Sequence, residues 1–164
     1  MTKELEDKYV ALIQANERII HKVINLHIAT EADKKDLFQE VLLQAWKSFP
    51  QFEERSSFAT WLYRVALNTV FTFKKKEKRA VVTSSDQIPD RGTITEREEP
   101  HELLYQLIRK LDGIDRTIIT LHLDSYKNQE IAEILGMKVN HINVKIHRLK
   151  KQIIESFKSL SHGS

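Results

Sequence analysis

The segment from Asn128 to Gln152 constrains the fold most, because it has the spacing of a helix-turn-helix. Ala132 precedes Gly136 by four residues, and Ile142 follows Gly136 by six. A small residue lets the second helix approach the first, and glycine adopts the turn conformation at little steric cost. An apolar seam is predicted beneath both helices, with helical spacing after Ile142, at Ile131, Leu135, Met137, Ile142, Ile146, Leu149 and Ile153.

The outer face of the second predicted helix carries amides, imidazoles and cations. These groups hydrogen-bond to base edges and phosphates in a major groove. The outward residues are Asn140, His141, Asn143, Lys145, His147, Arg148 and Lys151. A plain helical hairpin with a solvated basic face has the same spacing, so the segment alone leaves both interpretations open.

The whole chain has the composition of a helical protein with clustered charge. Its 164 residues include four Gly and three Pro, and 41% are hydrophobic. The formal net charge is only +3, but basic runs at Lys74–Arg79 and Lys138–Lys158 flank an acidic patch within residues 96–102. Clusters matter more than the total, because salt screens charges beyond about 8 Å under physiological conditions.

The residue content disfavours an enzyme or a metalloprotein. The chain has no cysteine, which excludes disulfides and cysteine zinc sites. The pairs His21/His27 and His141/His147 are each six residues apart, so they diverge on a helix, whereas a metal needs an i, i+4 pair. The sequence contains no Gly-rich phosphate loop. We therefore expect no catalytic residues, no metal site and no cofactor.

The sequence also indicates where the protein acts. The N-terminal residues MTKELEDKY are charged and lack the apolar core of a signal peptide. No run approaches the roughly 18 apolar residues that a membrane span requires. We therefore expect a cytoplasmic protein with no membrane insertion.

Helical periodicity first defines an N-terminal domain, residues 1–79. Its first helix is predicted over Tyr9–Ile28. A second helix begins at Thr30, where Thr30 and Asp33 form a capping box, and is stopped by Pro50. A third helix follows a polar loop and extends from Phe58 to about residue 78.

A linker and a second domain follow. Residues 80–99 lose all periodicity and predict a flexible linker. Helical pattern resumes at Pro100, breaks at Asp112–Asp115, and continues over Arg116–Leu123 into the helix-turn-helix. The predicted fold class is all-α, with two small helical domains, residues 1–79 and 100–160, joined by that linker.

Aromatic residues are concentrated in the first domain, where eight of the thirteen lie between Trp46 and Phe73. Trp46 and Phe49 fit the buried side of the second helix. We expect that they cannot share one face with Phe52, Phe58 and Trp61. Rings beside cations are typical of proteins that bind single-stranded nucleic acid. The alternative, core aromatics with a solvated basic helix end, is equally compatible with the pattern.

Three segments, in this order, resemble the bacterial RNA polymerase sigma factors of the short extracytoplasmic-function group. The segments are Asp36–Lys47 (DLFQEVLLQAWK), Phe58–Thr69 (FATWLYRVALNT) and Ile131–Ile142 (IAEILGMKVNHI). The resemblance covers nearly the whole chain apart from the linker and termini. It implies that residues 1–79 are sigma region 2 and residues 100–160 are sigma region 4.

The resemblance implies a function, partners and sites. The protein would bind core RNA polymerase, through the β′ coiled coil and the β flap, and direct promoter-specific initiation. Promoter DNA and an anti-sigma factor are the other implied partners. The implied polymerase-binding residues are Asp36, Gln39, Glu40 and Gln44.

The implied DNA contacts divide between the two regions. In region 2, the loop 52–57 would hold a base flipped from the melted minus-ten strand, which the third helix would face. The implied residues are Phe52, Ser56, Ser57, Phe58, Trp61, Arg64 and Asn68. In region 4, base edges of the minus-thirty-five duplex would be contacted by His141, Asn143, Val144, His147 and Arg148. Phosphates would be held by Lys145, Lys150 and Lys151.

The chain departs from the family pattern at several positions. Lys127 stands where Ser or Thr usually opens the first helix of the helix-turn-helix, and Asn128 is expected to provide the cap instead. Lys138 replaces Ser or Thr at the opening of the second helix, and Leu111-Asp112 replaces a common Leu-Pro. Val144 replaces a small polar residue, which favours contact with a thymine methyl group.

Two other functions remain open on the sequence. One is a two-domain repressor or activator that binds DNA without being a polymerase subunit. Such a protein would use Trp61 and Asn68 as core or dimer contacts, whereas a sigma factor leaves them facing DNA. The other is a helical adaptor, for which removal of charge at Arg148 or Lys151 would have no effect.

Overall fold

The computed structural model describes residues 2–80 and 100–162, and every regular element within them is helical. The prediction of an all-α chain is confirmed. The chain divides into two compact units, Met1–Ala80 and Val81–Ser164. The predicted linker, residues 80–99, lies outside the described residues except for Ala80, which ends a helix. In the part of the chain that is described, no helix is long and apolar enough to cross a bilayer.

The first unit is a three-helix module. Helix α1 covers Lys3–His27, α2 covers Glu31–Ser48 and α3 covers Phe58–Ala80. Each helix packs against the other two. Side chains with no exposed surface form the core between them, including Ile20, Val41, Leu62, Ala66 and Val70. By area, each such large apolar side chain contributes about 1.5–3 kcal/mol of burial free energy.

The ends of the first two helices follow from local side-chain chemistry. Helix α1 begins six residues before the predicted start at Tyr9, because the Thr2 hydroxyl accepts a hydrogen bond from Leu5 N at 3.3 Å. Thr30 caps α2 as predicted, its hydroxyl accepting from Asp33 N at 3.3 Å. After Ser48 a short 3₁₀ turn, Phe49–Gln51, contains Pro50, whose missing N–H cannot continue the α-helical ladder.

The second unit contains four helices arranged around the last one. Helix α4 covers Pro100–Arg109, α5 covers Gly113–Leu123, α6 covers Asn128–Leu135 and α7 covers Val139–His162. Helix α7 packs against α4, α5 and α6. Helix α5 begins before the predicted Arg116, since Asp112 Oδ1 accepts from Asp115 N at 2.9 Å and caps it at Gly113.

Helices α6 and α7 form the predicted helix-turn-helix. Gly136 has φ +66°, a left-handed conformation that glycine adopts without steric cost. Met137 N donates to Ala132 O at 3.0 Å across the turn. The predicted seam lies beneath both helices, with Ile131, Ile142, Ile146 and Leu149 buried, and Leu135, Met137 and Ile153 half-buried. Ile134 is also buried, at 3% exposure, although the sequence pattern did not single it out.

The expected cap at the start of α6 is wrong. Lys127, not Asn128, occupies the capping position, with the extended backbone (φ −69°, ψ 149°) that this position requires. Asn128 already has helical geometry as the first residue of α6, so its side chain is not placed to cap. A lysine side chain cannot accept a hydrogen bond. The Glu130 carboxylate instead accepts from Lys127 N at 3.1 Å, and the Asn128 side chain is used elsewhere.

Candidate polymerase-binding and DNA-binding surfaces

The polar residues predicted on α2 form an acidic ridge. Asp36, Gln39 and Glu40 are exposed, and Gln44 is half-buried. Gln44 Nε2 donates to Glu40 Oε1 at 2.8 Å, one helical turn away, which holds the amide against the carboxylate. The ridge therefore offers two exposed carboxylates and two amides on a rigid helix, which suits a partner surface rich in cations.

A groove between α2 and α3 joins this ridge to part of the predicted DNA surface. The groove has a volume of about 630 Å³, and Asp36, Glu40 and Gln44 form its α2 side. Its α3 side includes Asn68 and Lys76. The sequence assigned Asn68 to a separate DNA-facing surface. The structure places exposed Asn68 at the edge of this groove, whose lining includes the carboxylates of Asp36 and Glu40 and the ammonium group of Lys76.

The aromatic residues of the first unit form one cluster around Phe49, so the expectation of two separate faces is wrong. Phe49 is 3% exposed, and its ring centroid lies 5.3–6.3 Å from those of four other rings. These rings are Tyr9, Phe52, Phe58 and Trp61. The 3₁₀ turn after α2 points Phe49 toward α3, so residues from three segments converge on it. Trp46 joins through Tyr9, at 5.0 Å.

Tyr9 anchors this cluster to α2. Its hydroxyl donates to Leu42 O at 2.7 Å, while its ring packs edge-on against Trp46 and Phe49. Burial raises the pKa of the Tyr9 hydroxyl, so it remains a neutral donor at physiological pH. The cluster is therefore fixed both by packing and by a hydrogen bond between helices.

Exposure divides the predicted aromatic contacts into two kinds. Phe58 is 8% exposed and belongs to the core, because it is enclosed by Phe49, Phe52 and Trp61. Phe52 and Trp61 are half-buried, with centroids 5.2 Å apart and planes tilted by 45°. Of the three predicted ring contacts, these two retain surface on which a base could stack. The structure thus removes Phe58 from the predicted strand-contacting set.

The loop before α3 is held at both ends. Ser57 Oγ accepts from Thr60 N at 3.1 Å and caps α3, while Ser56 is half-buried beside it. Glu54 has φ +57° and pairs with Lys8 of α1 at 3.1 Å. The adjacent Arg55 Nε pairs with Glu53 at 2.9 Å. The Ser57 hydroxyl is therefore occupied by the helix start, and each charged residue of the loop is paired, Glu53 with Arg55 inside the loop and Glu54 with Lys8 of α1.

Helix α3 presents the remaining predicted contacts on one face. Arg64 and Asn68 are exposed and follow Trp61 at intervals of three and four residues. This spacing places the three side chains on one face of the helix. A partly exposed ring, a guanidinium and an amide thus line the outer side of α3, next to Phe52.

On α7 the predicted polar face is exposed and lies opposite the buried seam. The exposed residues are His141, Asn143, Val144, His147, Arg148, Lys150 and Lys151. Val144 lies among these polar residues with 48% of its surface exposed, so its methyl groups are accessible on this face. A helix with this face protruding from a helix-turn-helix can enter a major groove.

Lys145 differs from the other cations of α7. Its ammonium group pairs with the Asp115 carboxylate of α5 at 2.9 Å, and both side chains are mostly buried, at 28% and 22% exposure. The sequence assigned Lys145 to a DNA phosphate. The structure instead uses its charge to fasten α7 to α5. Asp115 itself was missed, because an acidic residue in the first turn of a helix is explained by the helix dipole alone.

Two further residues that the sequence did not indicate, Arg116 and Asn128, stabilise the unit that carries the exposed face of α7. Arg116 is largely buried and its Nη2 donates to Arg109 O at 2.6 Å and Leu111 O at 2.9 Å, which closes the α4–α5 corner. Burial lowers the pKa of Arg116, and the nearby Arg109 lowers it further.

Asn128 Nδ2 donates to Asn143 Oδ1 at 2.6 Å, across the helix-turn-helix. Helix-turn-helix spacing could have indicated this last contact, because it brings the start of α6 beside the first turns of α7.

These surfaces define a class of protein: a two-module helical chain with a helix-turn-helix in one module and an acidic ridge beside partly exposed aromatic residues in the other. The comparisons agree with this class. The family Sigma-70 region 2 matches residues 12–80, and the family Sigma-70, region 4 matches residues 101–153. Together the two matches cover most of the chain.

Two proteins of similar sequence are RNA polymerase sigma factors. The ECF RNA polymerase sigma-E factor of Escherichia coli (strain K12) is 28% identical, over 83% of this chain and 81% of its own length. The ECF RNA polymerase sigma factor SigW of Bacillus subtilis (strain 168) is 27% identical, over 90% of both chains.

Two solved structures have a similar fold. The sigma factor RpoE from Bartonella quintana, in complex with the anti-sigma factor NepR, gives a TM-score of 0.67 at 18% identity, over 96% of this chain and 98% of its own. CnrH, in complex with the cytosolic domain of CnrY, gives a TM-score of 0.65 at 17% identity, over 94% of this chain and 90% of its own.

The chain belongs to the sigma-70 family, as an extracytoplasmic-function RNA polymerase sigma factor composed of regions 2 and 4. It therefore functions as a sigma factor, which binds core RNA polymerase and directs promoter-specific initiation of transcription. This membership decides against the alternative of a repressor or activator that acts apart from the polymerase.

Proposed function

We propose a specific division of labour among the three surfaces of this sigma factor. The α2 ridge binds core polymerase at the β′ coiled coil, and region 4 binds the β flap. The outer side of α3, with the loop before it, holds the melted minus-ten strand. The exposed face of α7 enters the major groove of the minus-thirty-five element. The main support for the proposal is helix α7, because its exposed polar face is separate from its buried seam.

The support for polymerase binding by α2 is electrostatic. Asp36 and Glu40 are exposed on adjacent turns of α2. Within the described residues, neither carboxylate forms an ion pair, and Glu40 accepts a hydrogen bond from Gln44. A cationic helical partner would gain from both charges, and complementary charge speeds association as well as fixing register. Gln44, held by Glu40, adds a polar group at the end of the ridge.

The support for strand binding by α3 is the combination of rings and cation. A flipped base loses a few kcal/mol of stacking and pairing, which aromatic surfaces offset at about 1–3 kcal/mol per base. Phe52 and Trp61 offer two such surfaces, and Arg64 is exposed one turn along for a phosphate. Phe58 has a supporting role, because it packs beneath both rings.

The support for duplex recognition by α7 is the chemistry of its exposed groups. Arg148 can donate two hydrogen bonds to a guanine, and Val144 can contact a thymine methyl group. His141, Asn143 and His147 supply further polar contacts on the same face, and Lys150 and Lys151 are exposed for phosphates. The Asp115–Lys145 pair holds this helix in place while it binds.

We also propose that an anti-sigma factor binds this chain in the cytoplasm, where the polymerase acts. One solved structure of similar fold contains an anti-sigma factor, and the other contains a cytosolic domain of a second protein. In this state the α2 ridge or the α7 face would be covered and unavailable to polymerase or promoter. Like other sigma factors, the chain would contribute binding and strand separation and no catalytic group.

Promoter opening with a fluorescent base tests the strand-binding part. Core polymerase and this chain would be mixed with a promoter that carries 2-aminopurine in the minus-ten element, whose fluorescence rises on unstacking. We expect a rise with the native chain and a several-fold smaller rise with Trp61→Ala. Val10→Ala is the matched control, since Val10 is an exposed apolar residue of α1 in the same unit, 49% exposed. An equal rise with Trp61→Ala would contradict the assignment.

A further inference from the structure

The hydrogen bond between Asn128 and Asn143 joins the two helices of the helix-turn-helix through their side chains. Asn128 is the first residue of α6 and Asn143 lies in the second turn of α7. Asn128 Nδ2 donates to Asn143 Oδ1 at 2.6 Å, although the residues are 15 positions apart. Asn143 is exposed on the face assigned to the duplex, whereas Asn128 is half-buried behind it.

The start of α6 determines how the Asn128 amide is oriented. The first N–H groups of a helix have no acceptor within the helix and carry partial positive charge. The N–H of Lys127 is already taken by Glu130 at 3.1 Å. The partial positive charge at this helix end favours the carbonyl oxygen of the Asn128 amide over its NH₂ group, without a capping hydrogen bond, and the NH₂ group is directed at Asn143.

The orientation of Asn128 then fixes that of Asn143. An amide has an acceptor oxygen at one end and a donor NH₂ at the other. Because Asn143 Oδ1 faces Asn128, the Asn143 NH₂ is the end left to point outward from α7. A base edge under this side chain therefore meets a hydrogen-bond donor.

This orientation changes which base Asn143 favours. A free asparagine pairs best with adenine, because its oxygen accepts from N6 and its NH₂ donates to N7. An asparagine that presents only its NH₂ needs an acceptor, and guanine offers two adjacent ones in the major groove, O6 and N7. An asparagine whose oxygen is turned toward Asn128 thus favours guanine over adenine.

We propose that Asn128 sets the base preference of Asn143, so that the base pair beneath Asn143 is selected through a guanine acceptor. Asn128 is a positioning residue, since it acts through Asn143 and not on DNA. The inference rests on the proposal that α7 recognises the minus-thirty-five duplex.

Two substitutions of Asn128 change the orientation of the Asn143 amide in different ways. Asn128→Asp offers only acceptors, so it attracts the Asn143 NH₂ and turns the Asn143 oxygen outward, toward a donor such as cytosine N4 or adenine N6. Asn128→Ala releases Asn143 and permits the two-ended contact with adenine. Both are compatible with the start of a helix, and an added carboxylate is favourable there.

Transcription from a promoter library measures the preference directly. Core polymerase with the full chain would transcribe templates with a randomised minus-thirty-five element, and the transcripts would be sequenced. At one position we expect guanine for the native chain, adenine for Asn128→Ala, and cytosine or adenine for Asn128→Asp. Each change should be about tenfold, near the low end for one base-edge contact. Gln129→Glu is the matched control, because it adds the same charge at the next exposed residue.

The outcomes separate this inference from the assignment beneath it. If Asn143→Ala leaves the library profile unchanged, Asn143 does not contact a base. The assignment of Asn143 to a base edge and the inference about Asn128 then both fail. If Asn143→Ala removes selectivity at one position while Asn128→Asp preserves the native base there, the inference alone is overturned. Equal changes with Asn128→Asp and Gln129→Glu would also overturn it, as an effect of charge. A purely structural role would reduce all transcripts without changing base identity.

Discussion

Helices α3 and α7 are both assigned to DNA, but their surfaces are built differently. On α7 the buried seam of Ile142, Ile146 and Leu149 lies opposite the exposed polar face, so packing and recognition use different residues. On α3, Trp61 is half-buried against Phe49 while also offering surface to a base. Recognition can therefore be changed without loss of stability on α7, whereas the two are coupled on α3.

Charge reinforces the contrast. The α2–α3 groove is lined by Asp36 and Glu40 on its α2 side and by Asn68 and Lys76 on its α3 side, so it carries charges of both signs. The α7 face is cationic, and its most enclosed cation, Lys145, is neutralised by Asp115. In the proposed assignment, the first unit combines polymerase and strand surfaces along one helix pair, while the second keeps its DNA face separate.

The largest expected effect is on the aromatic core of the first unit. Phe58→Ala should lower the free energy of unfolding of this unit by about 3–5 kcal/mol, because a ring enclosed by Phe49, Phe52 and Trp61 is lost. Urea unfolding followed by tryptophan fluorescence measures it. Both tryptophans of the chain, Trp46 and Trp61, lie in this unit, so the signal reports on it alone.

Val144→Ala is the counterpart on α7. Val144 is 48% exposed, so its truncation should change the stability of the second unit by less than about 0.5 kcal/mol while altering promoter choice. A loss of 3 kcal/mol there, or a stable Phe58→Ala variant, would break the contrast between the two helices.

The next effect is on promoter selection by α7. Arg148→Ala should weaken selection of the minus-thirty-five element by about 1–3 kcal/mol if the guanidinium pairs with a guanine. The rate of transcription by the reconstituted holoenzyme on matched and mismatched promoters measures it. Unchanged promoter choice would remove Arg148 from the base-contacting residues, and loss of fold would show as lowered amide protection in α5–α7.

A smaller effect is expected for two lysines of α7, one of which contributes to stability and the other to DNA binding. Lys145→Ala should lower the stability of the second unit by about 1 kcal/mol, because it leaves the mostly buried Asp115 without its partner. Hydrogen exchange of α5 and α7 peptides measures this. Lys151→Ala should leave exchange unchanged but reduce the salt dependence of promoter binding by about one unit of slope. Reversal of the two results would place Lys145 on the DNA.

The smallest effect concerns the pKa of His122 on α5. Burial lowers this pKa below 6.5, and the nearby charge of Lys150 lowers it further. Lys150→Ala should therefore raise the His122 pKa but leave it below 6.5, since burial is the larger cause. Imidazole chemical shifts followed by NMR against pH measure the change. A pKa that is unchanged or lower in the variant would contradict the placement of Lys150 beside His122.

The same shift has a consequence for stability. Because the folded pKa of His122 is depressed, the unfolded chain binds more protons between the folded pKa and 6.5. The second unit should then lose stability as pH falls through this window. Lys150→Ala should lessen that loss.

Sequence patterns predicted the helices and the α7 face well for a physical reason. Capping at Thr30, termination at Pro50 and the turn at Gly136 depend on residues close in the chain. The exposed face of α7 follows from the period of its apolar residues, which is also local.

Contacts between segments could not be obtained in this way. Phe52, Phe58 and Trp61 were expected apart from Phe49, because helix periodicity does not show that the turn after α2 points Phe49 toward α3. Likewise, Lys145 was placed on a phosphate, since its sequence neighbours give no sign of Asp115, 30 residues away. The error at Asn128 has a related cause: its partner is Asn143 on the next helix.

One library experiment tests the central assignment most directly. Templates with both the minus-ten and the minus-thirty-five elements randomised would be transcribed by core polymerase with the native chain, Arg64→Ala or Arg148→Ala, two exposed arginines on α3 and α7. We predict that Arg64→Ala weakens use of the minus-ten element alone and Arg148→Ala weakens selection of the minus-thirty-five element alone. If either variant altered both elements, or if the native chain gave no promoter-dependent transcripts while still bound to polymerase, the division between α3 and α7 would be contradicted.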